Sequence, residues 1–426
     1  MRSKIRVSLL DDETELAKRW KSDLESLRLG TRPANTRFTF SIFNVHEDLE
    51  HCIEGLSLRR EFGGTCIEDD SKFDAAQKGA LKKLDETEVF VIDYDLLNAK
   101  NIVSYTGEDV AYLARCYSTC KAIVAVNQFT TAKDFDLSLT GRPESFADLN
   151  VSEPHITNVG LWSSSWPPGF RPWSWPVLPD LVDKFDQRVK FVRDRLDLPM
   201  LRALGFEASE IETLPRSAIA FLSRSATNVE RLTFRDFVQK SANTLRPKDV
   251  SRIGSGATAD DKIARIAAAR LSRWLEDFIL PAQEILVDAP HLVSRYPSLL
   301  TGSRQRDPRT WNKTAHIASA RDLGIDHELL NQFAFPEFWL SRPAWFWPRI
   351  TTCRRIAEVA DPTTRKASEF VFCEDVSAFV PKHDGKSFTA AVPSTYVRRY
   401  VAGTQATSLF PGVGNVEYHP AVRFSL

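Results

Sequence analysis

No apolar run in this 426-residue chain reaches the roughly 18 residues that a membrane span needs. There is also no surplus of either charge: 56 Lys and Arg balance 56 Asp and Glu. A chain whose main partner is nucleic acid or a membrane surface usually carries a basic excess, so the balance argues against a protein-wide polyanion-binding surface. The six cysteines, at 52, 66, 116, 120, 353 and 373, form no CxxC pair. Scattered thiols in a chain this long point to a reducing cytoplasm. The C-terminal two-thirds carries no HExxH helix, no Walker loop and no nucleophile with its base. Gly412-Val413-Gly414 is too short for a phosphate loop, and His291, His316, His327, His383 and His419 have no motif partners. Internal repeats and low-complexity segments are missing too.

What is present is enough apolar material, 43% of residues, for two or three domains with proper cores. The neutral total hides a division. Residues 1–150 hold 20 basic and 26 acidic side chains, a local charge of −6, so residues 151–426 carry +6. The first 160 residues alternate strand and helix. Ile5–Leu10 reads as a buried strand rather than a signal-peptide core, and Thr14 starts a helix whose Leu16, Trp20, Leu24 and Leu27 share one face. Phe38–Phe43, Val89–Ile92 and Ala122–Val126 read as further strands, with a fifth unit at Phe146–Pro154. Asp48–Leu56 and Gly107–Tyr117 read as helices, and 57–80 as an insertion without assigned structure. Strand–helix alternation implies a parallel sheet covered on both faces.

Residues 161–182 form a Trp/Pro-rich connector; the stretch LWSSSWPPGFRPWSWPVLP holds four Trp and five Pro. Proline excludes a regular helix, and so many aromatics point to a segment packed on a domain surface. Residues 183–426 form a C-terminal module, helical to about 367 and then β-rich. Phe185, Val189, Val192 and Leu196 make one apolar stripe, Ile263 to Phe278 another, and Phe333–Trp347 looks like core. After Ser368, short strands alternate with Gly, Pro and Asp turns. The fold class is therefore α/β: an N-terminal doubly wound parallel sheet, a mainly helical region, and a β-rich α+β segment.

Chemistry concentrates at the predicted strand ends. The first strand ends in Asp11-Asp12, the third in Asp93-Tyr94-Asp95, the fourth at Asn127. Open parallel sheets bind ligands outside these carboxyl ends. Carboxylates crowded there repel one another unless a hard cation such as Mg²⁺ neutralises them. With Thr106-Gly107 opening the next helix and AIVAV in the fourth strand, residues 4–160 resemble a divergent receiver domain of two-component response regulators. That resemblance implies a flavodoxin-like fold. It also implies Asp11 and Asp12 as Mg²⁺ ligands, Asp93 as phosphoacceptor and further ligand, and Asp95 at the position of a ligating main-chain carbonyl. It further implies a protein partner, kinase or effector. Similar divergent receivers occur fused to other modules in bacterial signalling and conflict (antiphage) proteins.

Two departures bear on that reading. Asn127 stands at the family's Thr/Ser position; it lacks a hydroxyl, but its amide can still donate to an oxyanion. The family's Lys-Pro has its nearest counterpart in Glu153-Pro154, where a carboxylate would repel a phosphoryl group; Lys133 could replace the cation only in a rearranged loop. A pseudo-receiver used for docking or homodimerisation, or an unrelated doubly wound domain, therefore stay open as alternatives.

A second class of function, a gated effector enzyme or nucleic-acid-binding protein, rests on the +6 charge and on Arg304, Arg306, Arg309 and Lys313 with Trp311 among them. Basic residues interleaved with an aromatic can hold single-stranded nucleic acid, and Arg354-Arg355 and Arg398-Arg399 would extend such a patch if the fold gathers them. An ordinary solvated loop has the same composition. His46, His51, Cys52 and Cys66 match no zinc spacing. Cys116 and Cys120, one helical turn apart, read as a packed helix face.

Overall fold

The computed structural model describes residues 4–27, 37–44, 48–62, 70–96, 105–127, 145–163, 173, 175–225, 228–254, 256–301, 307–317, 319–359, 369–388 and 399–402. Five strands form the N-terminal sheet: β1 (Lys4–Leu10), β2 (Arg37–Phe43), β3 (Val89–Asp93), β4 (Ala122–Asn127) and β5 (Leu149–Ser152). All pairings are parallel and the order is β2-β1-β3-β4-β5, the flavodoxin-like arrangement. The near-continuous apolar runs of β3 and β4 are explained by burial on both faces. Every residue of both strands is buried.

Strand alternation assigns the two faces. Ile5, Val7 and Leu9 of β1, Val89 and Val91 of β3, and Val124 and Val126 of β4 pack into one cluster. That face is covered by α1 (Thr14–Ser26), through Trp20 and Leu24, and by the first turns of the helix Leu178–Arg193, through Leu178 and Val182. On the opposite face, Phe90, Ile92, Ile123 and Ala125 meet α2 (Glu50–Glu61), α3 (Ala75–Asp85) and α4 (Gly107–Tyr117). Helix α3 lies in the stretch left without structure in the sequence reading. Its start is marked by a capping box between Asp74 and Gln77, and Ala80, Leu81 and Leu84 are its buried face.

The helix Leu178–Arg193, α5, also packs along α6 (Ala257–Trp274), the long amphipathic helix expected from the 263–278 stripe. The second-face cluster continues from the sheet through α6 and the 333–347 segment to Phe370, Phe372 and Phe379. The N-terminal sheet and the later helices therefore share one apolar core. The connector adds to both clusters: Trp173 is buried in this core and Trp162 and Trp175 in the first-face cluster, and Trp162 donates Nε1–H to the Ile156 carbonyl at 2.7 Å.

His155, just past β5, sits edge-on to Trp175 with ring centroids 5.1 Å apart. Burial holds its imidazole down, at about 4 against an ordinary 6.5. The unfolded chain binds the proton more readily than the folded one. The stability this neutral ring confers is thus complete above pH 6.5 and is lost as pH falls toward 4, by about 3 kcal/mol. Urea unfolding at pH 7.5 and pH 4.5 should show that loss, and His155→Phe should shrink it. An unchanged pH slope in the variant would refute the assignment.

Toward the C-terminus, β6 (Leu286–Asp288) and β7 (Ala344–Phe346) form an antiparallel pair. Four further strands, β8 (Phe370–Cys373), β9 (Ala378–Pro381), β10 (Lys386–Phe388) and β11 (Arg399–Val401), make a small sheet in the order β10-β11-β8-β9. Mixed pairing, with β11 parallel to β8 and antiparallel to β10, agrees with the β-rich end expected from sequence. The chain is thus mixed α/β: a parallel sheet first, helices between, a small sheet last. Among the described residues, no helix is long and apolar enough to cross a membrane.

Candidate functional site

The order 2-1-3-4-5 reverses direction between β1 and β3, and ligands of doubly wound sheets sit at that switch point. The register pairs Leu10 of β1 with Ile92 of β3, so Asp11 and Asp93 leave the sheet side by side. Ligand oxygens of Asp11, Asp12 and Asp93 all lie within 4.8 Å of one another, close enough for one small cation. Asp11 and Asp93 are fully buried and Asp12 is half-buried. The Asp11 carboxylate accepts the Glu13 N–H at 2.7 Å, which fixes its orientation at the start of α1. Burial pushes the Asp11 carboxyl up to about 7; the Glu13 bond opposes this and the Asp12 charge adds to it. Three oxygen donors of one sign in a buried edge suit a hard divalent cation.

Glycine shapes the edge. Gly107 begins α4 and donates its N–H to the Tyr94 carbonyl at 3.1 Å. A Cβ there would stand 2.1 Å from the Asp93 carbonyl oxygen and 2.8 Å from the Tyr94 Cα. Helix α4 can therefore press directly on the strand end that carries Asp93. Thr106 caps it, its hydroxyl accepting the Asp109 N–H at 3.2 Å while Asp109 receives the Thr106 N–H.

The other sequence-predicted residues fall as follows. Asn127 ends β4, is buried, and stands opposite Ser152 of β5, on the same carboxyl edge as Asp93. Asp95 is half-buried and its carboxylate lies outside the three-residue cluster. Glu153 departs from expectation. Its carboxylate turns to α1, where it forms an ion pair with Arg19 and accepts Trp20 Nε1–H at 3.4 Å. Arg19 thereby becomes a cation near the acidic edge, and its charge acts to lower the Asp11 pKa. Sequence reading missed Arg19 because its neighbour Glu153 is distant in the chain. Lys133, His46 and Cys66 lie outside the described residues. Cys116 is on α4, but the helix ends at Tyr117, so Cys120 is off it. Burial pushes both thiols up to about 12, which makes them inert.

The basic segment is not gathered as expected. Arg304 and Arg306 are outside the described residues. Arg309 and Lys313 are exposed on the helix α8 (Pro308–Thr314). Trp311 points the other way, because two residues along a helix is about 200° around it. It is 2% exposed and packs on Phe370 and Phe379, so it offers no stacking face. Arg399 cannot extend a basic surface either, being buried and paired with Glu374; Arg398 is outside the described residues.

That pairing belongs to a buried ionic cluster. His291, on the helix Ala289–Arg295 (α7), lies 2.6 Å from Asp288 Oδ1 through Nδ1 and 3.1 Å from Glu374 Oε1 through Nε2. Trp173 Nε1 donates to Asp288, and Arg399 Nε donates to Glu374. Burial opposes a charged ring, but the two carboxylates outweigh it and hold His291 above the ordinary histidine range. The Asp288–His291 spacing is visible in sequence; Glu374, 83 residues on, is not. Each ring nitrogen of the histidine faces a carboxylate, so the cluster fastens the connector to α7 and the C-terminal sheet.

Compared with family models, curated proteins and solved structures, the chain finds no significant match.

Proposed function

We propose that this is a signalling or regulatory protein in which an atypical receiver-like domain, built around Asp11, Asp12 and Asp93, controls the C-terminal module. The observation that carries this reading is the convergence of the three carboxylates within 4.8 Å at the switch point of a 2-1-3-4-5 sheet. Asp11, Asp12 and Asp93 would hold Mg²⁺. Bound there, the cation screens the carboxylates and the negative charge of an incoming phosphoryl group. The Asp93 carboxylate is the nucleophile: an oxygen–phosphorus bond forms at Asp93 as the donor's own phosphorus–oxygen bond breaks and the donor leaves as its anion. Asn127, at the same carboxyl edge, would donate its amide N–H to the phosphoryl oxygens.

A contact chain supports control of the rest of the molecule. Gly107 abuts Asp93. The next residue, Glu108, accepts the Ser145 hydroxyl at 2.8 Å and the Phe146 N–H. Arg270 of α6, buried, donates to the Ser145 carbonyl at one nitrogen and to the Asn243 carbonyl at another. A change at the acidic edge thus meets packed, hydrogen-bonded neighbours all the way into the helical region, with few voids to absorb it.

A second reading has its own support: Asp93 is fully buried, and Glu153, the nearest sequence counterpart of the family's Lys, is a carboxylate. Both favour a pseudo-receiver that binds a protein partner without phosphorylation. One experiment separates the two. The full chain is treated with acetyl phosphate and Mg²⁺ and its intact mass recorded. One added phosphoryl group that is lost in Asp93→Ala and without Mg²⁺ is the expected result. No adduct under these conditions would leave the pseudo-receiver reading in its place.

A further inference from the structure

We propose that a cleft beside α8 binds the phosphate groups of a small, nucleotide-sized ligand, through Arg309 and Lys313 with His316 beside them. The cleft has a volume of about 460 Å³ and is lined by Pro308, Arg309, Asn312, Lys313, His316 and Ala378, within the range that small ligands occupy. Arg309 and Lys313, four residues apart, share one side of α8, away from the buried Trp311, and His316, just past the helix end, completes the lining. Arg309 and Lys313 are exposed and form no ion pair among the described residues. Two adjacent unneutralised cations repel each other unless an anion bridges them, and phosphate is the anion whose geometry uses an arginine fork and a lysine point charge together.

The walls are held in place. Asn312 donates Nδ2–H to the Phe379 carbonyl at 3.3 Å and accepts the Phe379 N–H at 2.7 Å. This pair of bonds locks α8 to β9, and so sets Ala378 opposite the cations. Gly324 adopts a left-handed φ of +70°, and a Cβ there would stand 3.3 Å from the Lys313 Cδ. The glycine leaves room for the lysine stem, which braces it while the ammonium reaches the cleft.

The size class follows from two further observations. Burial of Trp311 removes the stacking platform that single-stranded nucleic acid uses. Burial of Arg399 against Glu374 keeps that arginine from extending the two cations into a longer basic track. A ligand with two or three phosphates on a small body matches what remains. This site is separate from the acidic edge and does not depend on phosphorylation of Asp93.

The probes are ATP and inorganic pyrophosphate, titrated calorimetrically into the full chain without divalent cation, so that the acidic edge takes no part. Binding of both identifies the phosphates as the recognised group; binding of ATP alone identifies a nucleotide. In either case Arg309→Gln and Lys313→Gln should each weaken binding about tenfold or more. Lys313→Arg should retain binding, and Asp93→Ala should leave it unchanged. Arg309 and Lys313 are exposed, so unfolding of these variants is not expected, and a thermal melt verifies it. The proposal is overturned if neither probe binds at millimolar concentration, or if binding survives the double substitution. A 20-nucleotide single strand that binds more tightly than ATP, with a steep salt dependence, would overturn the small-ligand assignment.

Discussion

Glu374→Ala should destabilise the protein by about 3–5 kcal/mol, the cost of stripping one partner from a buried ionic cluster. The Glu374 side chain is fully buried and stands between the His291 ring and the Arg399 guanidinium. Its attraction to them outweighs the burial that would otherwise raise its carboxyl, and holds it below the usual carboxylate range. Remove it, and Arg399 remains buried with the Pro281 carbonyl as its remaining acceptor among the described residues. His291, held above the ordinary range by two carboxylates, is left with Asp288 alone. Trp173 is coupled to the cluster through its indole N–H, which donates to Asp288; the bond from its backbone N–H to the residue-374 carbonyl survives the substitution. A loss on this scale is a large part of the roughly 5–15 kcal/mol that holds a typical domain folded. Urea unfolding at pH 7 measures it. Glu374→Gln, which keeps an acceptor but not the charge, should fall between wild type and alanine. Replacing Glu374 and Arg399 together by methionine should recover much of the loss, because no charge is then stranded. A Glu374→Ala protein within 1 kcal/mol of wild type would show that the cluster is not the fastening argued here.

Gly107→Ala has the second large effect, and it acts on the acidic edge as much as on stability. The added methyl would stand 2.1 Å from the Asp93 carbonyl oxygen and 2.8 Å from the Tyr94 Cα. Both are backbone atoms, so no rotamer change relieves the contact. Helix α4 must back away from β3, the Gly107–Tyr94 hydrogen bond must lengthen, and Asp93 must shift relative to Asp11 and Asp12. Overpacking of this kind costs about 1–3 kcal/mol. A displacement near 1 Å in a reacting group can cost about a hundredfold in rate, so phosphoryl transfer from acetyl phosphate should slow by at least about tenfold. Gly79→Ala is the control. It lies within α3 with nothing near the added atom, and should be neutral or stabilise by about 0.5–1 kcal/mol. Equal behaviour of the two variants would contradict the steric account of Gly107.

Much of the first 160 residues is legible from periodicity. The apolar runs VFVI and AIVAV become strands buried on both faces, and Leu16, Trp20, Leu24 and Leu27 become the inner side of α1, two residues of it fully buried and two partly. Helix α4 runs from Gly107 to Tyr117 as expected, because Thr106 and Asp109 provide a local capping signal. Helix α3 escaped notice because its cap, Asp74 with Gln77, follows a charged stretch whose composition resembles a loop. At the acidic edge, the identities of Asp11, Asp12 and Asp93 could be picked out as strand-end carboxylates. Arg19 could not, since its place beside the edge depends on Glu153, contributed from the far side of the sheet.

The sequence by itself determined where the N-terminal strands and the helices α1 and α4 lie, and that β1 and β3 lead into acids. Periods of 2 and 3.6 and capping residues are local properties, written within a few positions of one another. Only the tertiary structure decided that β1 and β3 are neighbours, that Glu153 turns to Arg19, that Trp311 faces inward away from Arg309 and Lys313, and that His291 meets Glu374. Each of these depends on segments far apart in the chain being brought together by burial of apolar faces. That driving force is non-directional and proportional to area, so it leaves no short-range mark by which a partner could be read.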